Sequence, residues 1–161
     1  MNKTLLKIWR ELPAKVQLLI VRLVRPRFRV AVAAIILDQE KRILLCEHTY
    51  RKLYPWGLPG GGLEYGESPE CGITREVWEE TGLEVNVERL LYAESSTEFR
   101  HVSLIYLCNV VGGSFKPNLE ISQTEFFEMD KLPPLLFTEK ALIERVVSQL
   151  SLSIHRNDKL A

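Results

Sequence analysis

Residues 61–83 read GGLEYGESPECGITREVWEETGL. A glycine-rich loop runs into a segment that carries its own helix signals. Ser68 suits an N-cap, Pro69 the first helical position, and Gly82 the position just past the end. The spacing therefore predicts a helix from Ser68 to Thr81. Within it, Glu76, Glu79 and Glu80 are related by i, i+3 and i+4, which puts them on one face, where like charges repel. Arg75 can pair with Glu79 at i+4, leaving Glu76 and Glu80 uncompensated. Glu79 and Glu80 also lie near the helix C-terminus, where the dipole disfavours anions. A bound cation resolves the conflict; a solvated, salt-bridged face is the plainer alternative. With only oxygen ligands nearby, the cation would be hard, Mg²⁺ or Mn²⁺ rather than Zn²⁺. The preceding Pro59-Gly60-Gly61-Gly62 run lets backbone approach a ligand without Cβ obstruction. Carboxylates beside such a loop point to metal-bridged phosphate chemistry.

Outward from this stretch, Phe28 to Leu37 is an apolar, β-branched run of buried-strand type. Asp38-Gln-Glu-Lys41 is a polar turn and Arg42 to His48 a second strand, so the pair reads as a hairpin. Tyr50 to Gly62 is a loop with Pro55, Pro59 and four glycines. Strand patterns follow at 85–98, 101–111 and 125–129. Thr138 would cap a final helix whose Ala141, Leu142, Val146 and Leu150 suit one buried face. Strands mixed with a few helices argue for an α/β sandwich.

The chain has 161 residues, enough for one globular core. Cys46, Cys71 and Cys108 form no metal-ligand pattern and no signal-like leader is apparent, so reduced thiols in a cytoplasmic protein are expected. The net charge of zero hides an asymmetry. Residues 1–29 hold eight basic side chains and one acid, Glu11, for a net +7, and the remainder holds 13 basic and 20 acidic, for −7. The apolar run Val16–Val24 in this basic arm is too short to span a bilayer and is broken by Arg22. Pro13 could open a short helix there and Pro26 close it. Such a helix could pack on the body or on a second copy as a homodimer contact. It could also lie on an anionic membrane, or attract a polyanionic substrate. The division expected is 1–27 basic amphipathic extension, 28–150 catalytic domain, and 151–161 polar tail.

The 61–83 stretch resembles the Nudix box, the family pattern G-x5-E-x7-R-E-U-x-E-E-x-G-U with U a bulky apolar residue. Gly61, Glu67, Arg75, Glu76, Val77, Glu79, Glu80, Gly82 and Leu83 fill every specified position. The likeness extends over about 28–150. It implies a Nudix-type α/β/α sandwich with a mixed central sheet, here with an N-terminal helical extension. It also implies Mg²⁺- or Mn²⁺-dependent hydrolysis of a nucleoside diphosphate linked to another group X. On the matched positions, Glu76, Glu79 and Glu80 would bind metal, with the Gly60 carbonyl as a further ligand. Glu67 would order the loop, and Arg75 would orient the glutamates. Gly72 stands in the helix where family members often have Ala, at a helix cost of up to about 1 kcal/mol.

The base would be a box glutamate or a downstream acid, Glu120 or Glu125. Substrate contacts would come from Gly61 and Gly62 in the loop, Glu120, and the segment before the loop. There Tyr54 and Trp56 could stack on a base, as could Tyr65 and Phe99, while Arg51, Lys52 and Arg100 could meet phosphates. His48 and His101 read as structural or surface residues. The rival reading is a non-catalytic nucleotide sensor on the same fold. Regulators of that kind usually carry a DNA-binding domain, which this sequence does not display, and the intact glutamates favour an enzyme.

Overall fold

The computed structural model describes residues 3–96 and 100–157. Two helices, α1 (Lys3–Glu11) and α2 (Ala14–Val24), precede strand β1 (Arg29–Ile36). Then come β2 (Ile43–His48), β3 (Trp56–Gly57), β4 (Gly60–Gly62) and helix α3 (Pro69–Thr81). The long strands β5 (Leu83–Ser96) and β6 (His101–Gly113), the strand β7 (Ile121–Phe127) and helix α4 (Phe137–Asn157) complete the chain.

The strands form two sheets. One is mixed, in the order β4-β1-β6-β5, with β1 and β6 parallel from Arg29↔His101 to Ile36↔Cys108. The other, β3-β2-β7, is antiparallel. The expected β1–β2 hairpin is therefore corrected. Asp38 holds the turn, its carboxylate accepting from the Arg42 backbone N–H at 2.8 Å and from Arg42 Nε at 2.6 Å. Beyond the single Leu37↔Ile43 bridge the chain passes from one sheet to the other. The reason is edge supply: β1 gives its two edges to β4 and β6, and β2 gives its two to β3 and β7.

Alternation along β1 then feeds two cores. Ile35 joins Ile43, Leu45, Ile105, Ile143 and Val146 under α4. Val32, Ala34 and Ile36 join Leu44, Ile73 and Val77 under α3. Both sheets contribute to both cores, so they form one layer between the helices, the α/β/α sandwich. A strand buried on both faces needs no polar alternation, which is why 28–37 reads as a continuous apolar run.

Element ends depart modestly from expectation. The strand expected at 125–129 is β7, which begins at Ile121. Helix α4 starts at Phe137, so Thr138 lies in its first turn rather than at its cap, and it continues to Asn157. In the arm, the expected helix is α2, opened by Pro13, and α1 is an additional helix ahead of it. No residue of α2 is buried, which removes packing on the body of the same chain as its role. Gly72 is buried in α3, where an added Cβ would come within 2.8 Å of Leu63 Cδ1. Phe99, and Glu98 at the end of its expected strand, lie outside the described residues.

At the end of β2, His48 is only 2% exposed and its Nε2 has no hydrogen-bond partner, while Tyr50 Oη lies 3.1 Å from Nδ1. Burial, aided by the Arg51 charge, lowers its pKa from 6.5 to about 4. The folded chain therefore resists taking a proton that the unfolded chain takes readily. This contribution is complete above pH 6.5 and is lost as pH falls from 6.5 towards 4, by about 2–3 kcal/mol in all. Urea unfolding at pH 7.5 and pH 4.5 should show that loss in the parent and a smaller one in His48→Phe. Equal losses in the two proteins would exclude His48 as the source.

Candidate active site

The site grows from the register of a three-residue strand. β4 pairs antiparallel with β1 as Ala33↔Gly60, Val32↔Gly61 and Ala31↔Gly62. Gly60 has φ +152°, and a Cβ there would lie 2.2 Å from the Val32 carbonyl oxygen. Only glycine allows the strand to come this near. Helix α3 is capped as its sequence predicts. Ser68 accepts from the Cys71 N–H at 3.2 Å, and Gly82, at φ +72°, donates to the Trp78 carbonyl. The Asn118 side chain closes the same end, donating to the carbonyls of Glu79 and Glu80 at 3.0 Å each.

The three carboxylates share a face but occupy three environments. Glu80 is 5% exposed, and its Oε2 accepts from the Gly60 N–H at 2.8 Å. Burial pushes its pKa up to about 7; the Gly60 N–H opposes this, and the charges of Glu76 and Glu120 add to it. Glu76 is also raised, first by burial, with Arg75 opposing. Its carboxylate lies against β4, where a Cβ on Gly61 would be 2.5 Å away. Glu79 is half exposed and accepts from Arg75 Nη1 at 3.0 Å.

Arg75 organises the polar side of this cluster. It donates to both oxygens of Glu67, through Nη2 at 2.7 Å and Nε at 3.2 Å. It also donates to Glu76 at 2.9 Å and to the Gly62 carbonyl at 3.0 Å. The guanidinium holds the Glu67 carboxyl below the usual carboxylate range, helped by the Glu64 N–H. Lysine cannot reproduce this planar fork. Arg75→Lys is expected to cost about 1–2 kcal/mol and to lower Tm by several degrees. A thermal melt superimposable on the parent's would show that the fork does not order the loop.

Beside β4 opens a cavity of about 420 Å³, lined among others by Arg51, Gly60, Gly61, Glu94, Ser103 and Glu139. Glu139, in the first turn of α4, escaped the sequence reading, which sees there only an acid at a helix N-terminus. Its Oε1 accepts from the Leu58 N–H at 2.8 Å, and Arg51 Nη1 lies 3.4 Å from its Oε2. Burial raises its pKa, against the Leu58 N–H and Arg51. The pair occupies the space a Cβ on Gly57 would need, 2.5 Å from Arg51 Nη1. Replacing Glu139 by Ala should cost about 1–3 kcal/mol by stranding the Leu58 N–H, measurable by urea unfolding. No change in stability would show that this N–H finds another partner.

Other predicted residues are dispersed. Glu120 precedes β7, close enough for its charge to be felt at Glu80. Glu125 is exposed on β7 opposite Leu45 and does not line the cavity. Trp56, offered as a stacking surface, is instead 9% exposed and packs edge-on against Phe127 with centroids 4.9 Å apart. The apolar core claims it because its strand lies over Leu135 and Ile143. Tyr54 occupies an exposed turn at φ +57°, and Tyr65 is fully exposed; neither lines the cavity. Lys52 and Arg100 are exposed, and His101, read as structural or surface, lines the cavity.

The donor set fits a hard divalent cation. Its acidic side chains offer oxygen donors, with no thiol or imidazole among them. Glu76 and Glu80 are crowded anions held against a strand stripped of Cβ atoms. Among the described residues no three acidic, His or Cys side chains yet converge on one cation position, because Arg75 holds Glu76 and Glu79 while the Gly60 N–H holds Glu80.

The carboxylate-bearing face of α3 thus lies against a glycine strand, beside a cavity that Arg51 lines. The NUDIX domain pattern matches residues 27–149. An ADP-ribose pyrophosphatase of Methanocaldococcus jannaschii is 36% identical over 117 residues, covering 68% of each chain. An NAD-capped RNA hydrolase, NudC, of Vibrio atlanticus is 30% identical over 115 residues, which cover 69% of this chain and 43% of that protein. The crystal structure of a UDP-X diphosphatase superposes with a TM-score of 0.70 at 29% identity, covering 89% of this chain and 73% of the other. The chain belongs to the Nudix family and is a Nudix pyrophosphohydrolase. Enzymes of this family generally use divalent metals and act on nucleotide-derived small molecules.

Proposed function

We propose that this chain hydrolyses the pyrophosphate linkage of a nucleoside diphosphate attached to a further group, giving a nucleoside monophosphate and phospho-X, with Mg²⁺ or Mn²⁺. The observation that carries this is the buried Glu80 beside the partly buried Glu76, held against Gly60 and Gly61 at the edge of a cavity that Arg51 lines. Glu76, Glu79, Glu80 and the Gly60 carbonyl would hold the cation, which would neutralise the anhydride oxygens and activate water. Glu67 and Arg75 keep the carboxylates in place. Arg51, oriented by Glu139, would bind phosphate oxygens, and the bare backbone of Gly61 and Gly62 would let the substrate approach. Glu120, whose charge reaches Glu80, is a better placed proton acceptor than the exposed Glu125. The named relatives act on nucleotides bearing a second group, which favours such substrates over nucleoside triphosphates. The three cysteines stand unpaired, which supports a reducing compartment and hence the cytoplasm.

The test is a panel of ADP-ribose, UDP-sugars, NAD and nucleoside triphosphates with Mg²⁺, followed by ³¹P NMR, with EDTA as the control. The expected result is metal-dependent release of a monophosphate from one of the two-part nucleotides. Tight binding without any metal-dependent product would replace hydrolysis with the sensor reading.

A further inference from the structure

We propose that the α1–α2 arm is a docking surface for an anionic lipid membrane. Its helices form a defined hairpin, because Gln17 Nε2 donates to the carbonyls of Trp9 at 2.7 Å and Leu12 at 3.1 Å. In α1, Lys7 and Arg10 fall three apart on one side, while Ile8, 55% exposed, turns to the other. In α2 the cations Lys15 and Arg22 form one narrow stripe seven apart, and nearly all the rest is apolar. That apolar surface is uncovered: Leu19 is 56% exposed, Leu23 73% and Val24 76%. Arg25, Arg27 and Arg29 follow directly.

Sign and spacing select the occupant. A second arm would bring +7 against +7. The acidic body of a second copy would answer the charge but less well the apolar face, because its exposed apolar side chains are spread over loops (Leu53, Tyr65, Leu119), α3 (Trp78), β6 (Val111) and α4 (Phe137) rather than gathered on one helix. An anionic bilayer surface meets both demands, with acyl chains for the leucines and headgroups for the arginines. No helix among the described residues is long and apolar enough to cross a membrane, so the arm lies on the surface.

The experiment is flotation of the full chain with phosphatidylcholine vesicles, with and without phosphatidylserine. Two variants run beside it, Arg22→Gln/Arg25→Gln/Arg27→Gln and Leu19→Ser/Leu23→Ser. No α2 residue is buried, and Arg25 and Arg27 are exposed, so both should fold, as unchanged melting curves would verify. The expected result is flotation with phosphatidylserine vesicles only, weakened by salt. The charge variant should lower partitioning on the order of 100-fold, and the leucine variant should lower it as well. Failure to float with anionic vesicles, or equal flotation with neutral ones, would overturn the proposal. So would a dimer by light scattering that both variants dissociate, which would assign the face to a second copy.

Discussion

Glu80→Gln is expected to lower kcat on the order of 10²–10³-fold while leaving the fold as stable as the parent. The two halves of that expectation rest on one geometry. Glu80 is 5% exposed, and one oxygen accepts from the Gly60 N–H at 2.8 Å. A glutamine oxygen can accept the same bond. Burial already pushes the Glu80 pKa up to about 7, so a neutral amide is no worse tolerated there than the carboxylate. What the amide cannot do is carry charge to a cation. Glu79, half exposed and held by Arg75, should give a smaller loss on the same substitution. The measurements are steady-state turnover on whichever substrate the panel identifies and urea unfolding of both proteins. Unchanged turnover would remove Glu80 from the site. Lost turnover with lost stability would make its role architectural.

The second large effect is on the fold. Gly60→Ala should cost about 3 kcal/mol or more and abolish activity with it. The residue has φ +152°, and its new methyl would meet the Val32 carbonyl oxygen at 2.2 Å and Ala33 Cα at 2.7 Å. Both are backbone atoms of a strand paired on its two edges, so neither can yield. β4 would have to leave β1, taking the Gly60 N–H from Glu80. Gly62 supplies the control, because a Cβ there meets nothing within 4 Å. Gly62→Ala should stay within about 0.5 kcal/mol of the parent in urea unfolding. Equal effects at the two positions would show that loop flexibility, not close approach, is what these glycines provide.

Helix α3 was legible because its signals are local. Ser68, Pro69 and Gly82 punctuate it from within three residues of its ends, and the i, i+3, i+4 spacing places its glutamates on one face regardless of context. The strands were legible as strands, but not in their pairing. Hydrophobic periodicity reports that β1 and β2 are buried; which partners they take depends on β4 and β6 for β1 and on β3 and β7 for β2, 72 residues away at Arg29↔His101 and 84 at Ile43↔Phe127. The polar turn at Asp38 and the strands flanking it looked alike under either pairing.

Composition, periodicity and the box spacing by themselves determined an α/β sandwich, a carboxylate face beside a glycine loop, and a basic arm on an acidic body. Each is a matter of residue type and short-range order. Only the tertiary structure decided that Glu80 is buried while Glu79 is half exposed, since burial depends on β4 crossing one side of α3. It alone brought Glu139 to Arg51 across 88 residues and sent Trp56 into the core. It also left α2 uncovered, because the body's own helices already close both faces of the sheet layer.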